Sequence, residues 1–456
     1  MDLILRGGRV VTPTGQFDGD VGVENGRIAQ LGGAMHGGEV VDASGLLVLP
    51  GGVDLHVHLT PAFVDEGDFE WADDFASGTA AALAGGVTTI GNVTFPDRGE
   101  GLLDAVRRIQ LTAEQQSSCD FVLHPVILHP PADPAAYVAL LHAAGCVSVK
   151  WFTHMSGFAA DPAGYVALLH AAGEQGLLSM VHCEDGALSA FLSSLGSHDP
   201  ATAEVVYCPP AEIETAAVQR VTGFARAVRA PVHLVHLAHA SSLDAACRAR
   251  ASGAPVSIET SPEYLLLDDA ELAAAAGAGT AGEVSARGRD DLDRLWTAIA
   301  TGELDAVCTD HAPWRRVPAR QPASSLRSVR SGLSCLEWSR SLLFSRGVAA
   351  GRISLEHFVA VTATNPARLF GLAPAKGAIV PGADADLVLF DAGQRFVVDR
   401  GHSAAAWSPF LGWELTGRTV ATFRRGELVY RLGDGAPAAG GGRRIGRGGV
   451  TRVPER

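Results

Sequence analysis

From residue 51 to about residue 370 the chain repeats one unit: an apolar strand, a short polar turn and an Ala/Leu-rich helix. Eight apolar runs fit the strand template, namely Val53–Leu59, Thr88–Thr94, Phe121–Ile127, Ser148–Thr153, Leu178–Glu184, Pro231–Leu237, Val256–Ser261 and Ala306–His311. Helical stretches intervene at Phe75–Ala84, Leu102–Gln115, Pro162–Ala172, Glu212–Val228 and Leu292–Ala300. Eight β-then-α units in succession are the count of a closed (β/α)8 TIM barrel, an α/β fold that carries its chemistry where the strands end. A length of 456 residues alone would favour about three domains. The barrel reduces that number, because it absorbs residues 51–370 as a single unit.

The two ends read differently. Leu3-Ile4-Leu5, Val10-Val11, Val21-Gly22-Val23 and Arg27-Ile28-Ala29 are short strands, the last two joined by Asn25-Gly26, a strong two-residue hairpin signal. Leu387–Phe390, Val420–Phe423 and Glu427–Tyr430 repeat the pattern near the other terminus. Neither end alone can bury a core, so residues 1–50 and 371–435 are expected to form one small β-sandwich domain. Residues 436–456 are rich in Gly and Arg and are expected to be a flexible tail.

Composition narrows the function. Thirty-six Lys plus Arg against 50 Asp plus Glu give a net charge of -14, which argues against nucleic-acid or anionic-membrane partners. There is no run of 18 or more apolar residues, so no membrane span is expected. Seven scattered cysteines do not make a disulfide framework, which favours a reducing, cytoplasmic setting.

Chemistry-bearing residues gather at the strand ends. His56 and His58 stand two apart on the first strand and so face the same way. The fifth strand ends His182-Cys183-Glu184, the sixth carries His236, and the eighth ends Thr309-Asp310-His311. Imidazole and carboxylate are the usual ligands of zinc-like ions. Lys150 on the fourth strand leaves two alternatives: it pairs with Glu184 or Asp310, or it reacts with carbon dioxide to become an anionic carbamate.

Five stretches resemble the cyclic amidohydrolases, the group containing hydantoinases, dihydropyrimidinases, allantoinases and dihydroorotases. They are Pro50–His58, Ser148-Val149-Lys150, Val181–Glu184, Ile258–Leu265 and Cys308–Pro313. Ala363–Gly371 and Gly382–Val388 are similarly family-like. The resemblance implies two divalent metal ions, Zn2+ first among them, and favours the carbamylated Lys150 as their bridging ligand. His56, His58 and Asp310 would hold one ion, and His182 and His236 the other. His239 is a rival to His236, preferred less because His236 falls within the expected strand. His233 is expected on the opposite face as packing, His124 as a core residue, and His311 as a group that orients Asp310.

The implied reaction opens a ring amide of the hydantoin or dihydropyrimidine type by hydroxide generated between two cations. Asp310 would act as general base and then acid. Allantoin is the alternative ring, favoured by Ser156-Gly157 and Phe69-Glu70-Trp71. A carboxylated dihydroorotate-like ring is disfavoured, since His58-Leu59-Thr60 lacks the family's Arg two residues after the second histidine. Hydantoinases commonly place Tyr five residues after the bridging lysine; here the position is Met155, which has no hydrogen to donate. His154 is the proposed substitute, with Ser285 and Ser331 as further substrate contacts. The family implies a homotetramer or homodimer. Relatives that have lost metal ligands serve as scaffolds, but every expected ligand type is present in this chain.

Overall fold

The computed structural model describes residues 1–59, 69–195, 210–268, 271, 288–316 and 332–447. The eight barrel strands are Gly52–Val57, Val87–Thr94, Asp120–Pro125, Ser148–Phe152, Leu178–His182, Val232–Leu234, Val256–Thr260 and Ala306–Val307. Strands one to three pair in parallel, as do strands four to eight. Parallel bridges at Val126–Lys150 and Val57–His311 join the two sets and close the barrel. The strands are buried almost throughout, as a parallel sheet covered on its outer face by helices requires. Val53, Leu55, Val122, Leu178, Met180 and Phe370 form one cluster that fills its interior.

The helices start where local chemistry favours a start. Asp74 caps Phe75–Ala84 by accepting from the Ser77 amide, and Ser77 returns a bond in a capping box. Asp161 caps Pro162–Glu174, whose first residue is proline. Each such cap contributes about 1 kcal/mol. Leu102–Gln116 buries Leu102, Ala105, Val106, Ile109 and Ala113 along one face, the three-and-four spacing of an amphipathic helix.

Both chain ends share one eight-stranded sheet. Leu47–Pro50 pairs in parallel with Leu3–Thr12 on one side and antiparallel with Leu387–Val397 on the other. Asn25 and Gly26 take φ of 52° and 73°, the left-handed pair that a two-residue hairpin turn needs. The sheet is tied to the barrel by Lys376, whose Nζ lies 2.5 Å from Asp120, 3.0 Å from Asp384 and 2.8 Å from Asp386.

Two expectations need correction. The strand ends were drawn too long: the sixth strand stops at Leu234 and the eighth at Val307. His236 and Asp310 therefore lie beyond their strands, with φ of 41° and 46°, because the chain leaves the ladder to turn these side chains into the mouth. The expected flexible tail is anchored over its described part, where Arg443 and Ile445 hydrogen-bond Phe121 and the Arg443 amide donates to Asp120. The third strand offers unpaired backbone groups at its start, and the tail satisfies them.

Candidate active site

The C-terminal mouth brings together side chains from strands one, four, five, six, seven and eight. Nε2 of His56 and Nε2 of His58 lie 3.1 Å and 3.0 Å from the same atom, Oδ1 of Asp310. Nζ of Lys150 is 3.2 Å from Nε2 of His56. On the other side of the mouth, Nδ1 of His182 is 2.8 Å from Nε2 of His236. Nε2 of His182 lies 3.4 Å from Glu184, and His154 lies 3.9 Å from the same carboxylate. His56, His58 and Asp310 form one group with metal-holding geometry, and His154, His182 and Glu184 form a second.

The donor set fits divalent cations. Imidazole nitrogens converge within 3.1 Å of a carboxylate oxygen, the combination zinc-like ions take. Among the described residues, Nδ1 of His58 is buried without a hydrogen-bond partner, a cost of about 1–3 kcal/mol that a protein site rarely leaves uncompensated.

Electrostatics sharpen the picture. Burial opposes ionisation of Asp310, yet His56, His58 and His236 hold its carboxyl well below the usual range. Burial pushes His236 down, and His182 adds to the effect. Lys150 is lowered to about 8 by burial, against the pull of Asp310 and Glu259. A depressed ammonium supplies neutral amine, the form that reacts with carbon dioxide. Lys150 makes no ion pair with Glu184 or Asp310 among the described residues, so the simple salt-bridge alternative lacks its contact.

Other assignments shift. His311 does not face Asp310: its Nε2 lies 2.8 Å from Asp73, and its Nδ1 accepts from the Cys335 and Leu336 amides. The left-handed turn at Asp310 sends the two neighbours in opposite directions. His233 points inward to Glu259, at 3.1 Å, and not outward as packing; the same kind of turn at His236 breaks the alternation from which its face was counted. His239 sits at the head of helix Ala240–Ala251, 3.9 Å from Asp291. His124 is a buried core residue bonded to Ser148. Ser285 and Ser331 lie outside the described residues.

Aromatic side chains line the rim. Trp71 packs 4.8 Å from the His58 ring, and Phe152 packs 5.3 Å from His182. Met155 packs against the cluster of Val93, Val126 and Phe152. Sequence reasoning passed over Glu259 and Asp54. Asp54 accepts from the Thr309 and His56 amides and is raised to about 7 by burial. A buried carboxylate two residues before a ligand-type histidine was the available signal.

The whole-chain comparisons agree on one family. Residues 47–429 match the Amidohydrolase family. The chain belongs to the amidohydrolase family. A D-hydantoinase from Rhizobium radiobacter is 34% identical over 96% of this chain and 98% of that protein. A D-phenylhydantoinase from Escherichia coli is 34% identical over 97% of each. The solved dihydropyrimidinase of Brevibacillus agri superposes with a TM-score of 0.91 at 30% identity, covering 99% of this amidohydrolase and 100% of the other chain.

Proposed function

We propose that this amidohydrolase opens cyclic amides of the hydantoin or dihydropyrimidine type, giving N-carbamoyl acids. The observation that carries the reading is the convergence of His56 and His58 on one oxygen of Asp310, with His182 meeting His236 on the other side of the mouth, in a chain alike from end to end to hydantoinases. In this reading His56, His58 and Asp310 would hold one divalent ion and His182 and His236 the second, with carbamylated Lys150 as a ligand common to both. When bound, such a pair, Zn2+ in the first instance, acidifies water and polarises a carbonyl.

The chain's own residues do the rest. Asp310, kept anionic by its histidines, accepts the proton of the attacking water and returns it to the leaving ring nitrogen. His154, beside Glu184 and His182, donates a hydrogen bond to the ring carbonyl where relatives have tyrosine. Trp71 and Phe152 form flat apolar walls for the ring and exclude water. Aromatic surface beside His58, where a guanidinium would be needed to meet a carboxylate, supports an uncharged ring over dihydroorotate. The resemblance supports a homotetramer or homodimer as the active form, and the seven scattered cysteines support a reducing, cytoplasmic setting.

The test is turnover of hydantoin, dihydrouracil, allantoin and dihydroorotate by zinc-loaded protein. Hydrolysis of hydantoin or dihydrouracil supports the reading. Turnover of allantoin alone, or of none of the four, overturns it.

A further inference from the structure

Glu259 lies on the seventh strand and has no exposed surface. Its Oε1 is 2.8 Å from Nδ1 of His56, and its Oε2 is 3.1 Å from Nε2 of His233. Oε1 also accepts from the backbone N–H of His236 at 3.3 Å. An ionised carboxylate only accepts, so each nitrogen facing it carries a hydrogen. His56 is thereby protonated at Nδ1, which leaves the lone pair on Nε2, the atom that meets Asp310 and Lys150. His233 is protonated at Nε2, and its Nδ1 accepts from the Ser257 hydroxyl at 2.8 Å. The His236 backbone is left-handed, with φ of 41°, a conformation that persists in a non-glycine residue only where its surroundings over-determine it.

We infer that Glu259 is the positioning residue of the metal centre: one carboxylate sets the ligating tautomer of His56 and holds the turn that aims His236. It thus links both halves of the site without touching the substrate. His233 in turn holds the second oxygen of Glu259, so the bonds run from the barrel interior toward both ion positions. This inference rests on the two-ion reading above.

Zinc affinity, measured by competition with a chelator, tests it in wild-type protein and in Glu259→Gln. Glutamine loses the charge and one acceptor, so only one of His56 and His233 keeps its oxygen partner. Zinc affinity is expected to fall roughly 10- to 100-fold, and the visible spectrum of the cobalt(II) form to change. Ser257→Ala, which keeps all bonds from Glu259 to His56 and His236, should bind zinc within a few-fold of wild type. Unchanged zinc affinity in Glu259→Gln, with wild type binding two ions, overturns the inference and leaves the two-ion reading standing. Wild type that binds no zinc overturns that reading itself. Should Glu259→Gln not fold, nitrogen NMR of zinc-free wild type decides: His56 protonated at Nδ1 supports the inference, and protonation at Nε2 overturns it.

Discussion

Nδ1 of His182 and Nε2 of His236 face each other at 2.8 Å, from the ends of neighbouring barrel strands. Nothing in their backbones makes that contact obligatory, since His236 has already left its strand. Two ring nitrogens so placed suit a shared cation. Replacing either histidine with alanine should lower bound zinc from two ions per chain to one, because His56, His58 and Asp310 remain intact. Elemental analysis of purified variants checks this; two ions retained in both variants would contradict the assignment.

Lys150 is fully buried and its Nζ lies beside His56. On the proposed reading its neutral amine would add to carbon dioxide and release one proton, forming a carbamate. Protein loaded with zinc in 13C-labelled bicarbonate should show a carbamate carbon signal that is missing from Lys150→Ala. The alanine variant should also lose bound zinc. An unmodified amine in zinc-replete wild type would contradict the bridge.

His154 stands beside Met155 at the mouth, 3.9 Å from Glu184. His154 is exposed at the rim, and its neutral imidazole has one N–H to donate. His154→Ala should reduce kcat by roughly 100-fold, in the range of other lost oxyanion donors, with zinc content unchanged. Wild-type kcat in this variant would remove His154 from the site.

Lys376 is buried among Asp120, Asp384 and Asp386, where the sheet from both chain ends meets the barrel. Lys376→Met leaves three carboxylates without their shared cation. The expected loss is about 3–5 kcal/mol of stability, read as a lower denaturation midpoint. A midpoint like that of wild type would show that the cluster is not what joins the two domains.

The barrel was legible because its signal is redundant: eight strands and their intervening helices each repeat the same pattern, and errors of a residue or two at strand ends do not change the count. Helix Phe75–Ala84 was readable to the residue, since Asp74 and Ser77 mark its start chemically. His56 and His58 were legible as a pair because they sit on a regular strand of period two. The faces of His233 and His311 were not, because left-handed turns at His236 and Asp310 interrupt the alternation, and a single sequence carries no local sign of such turns. Glu259 was hidden for another reason. A glutamate in a buried strand shows its role only through partners contributed by strands distant in sequence, here His56 and His233.

The central claim is that two divalent ions held by this mouth drive ring opening. Titrating zinc into metal-free protein, while following hydrolysis of hydantoin and dihydrouracil, tests it directly. Activity on at least one of the two rings should rise with added zinc and reach its plateau at two equivalents per chain. Full activity in metal-free protein, or a plateau at one equivalent, would contradict it.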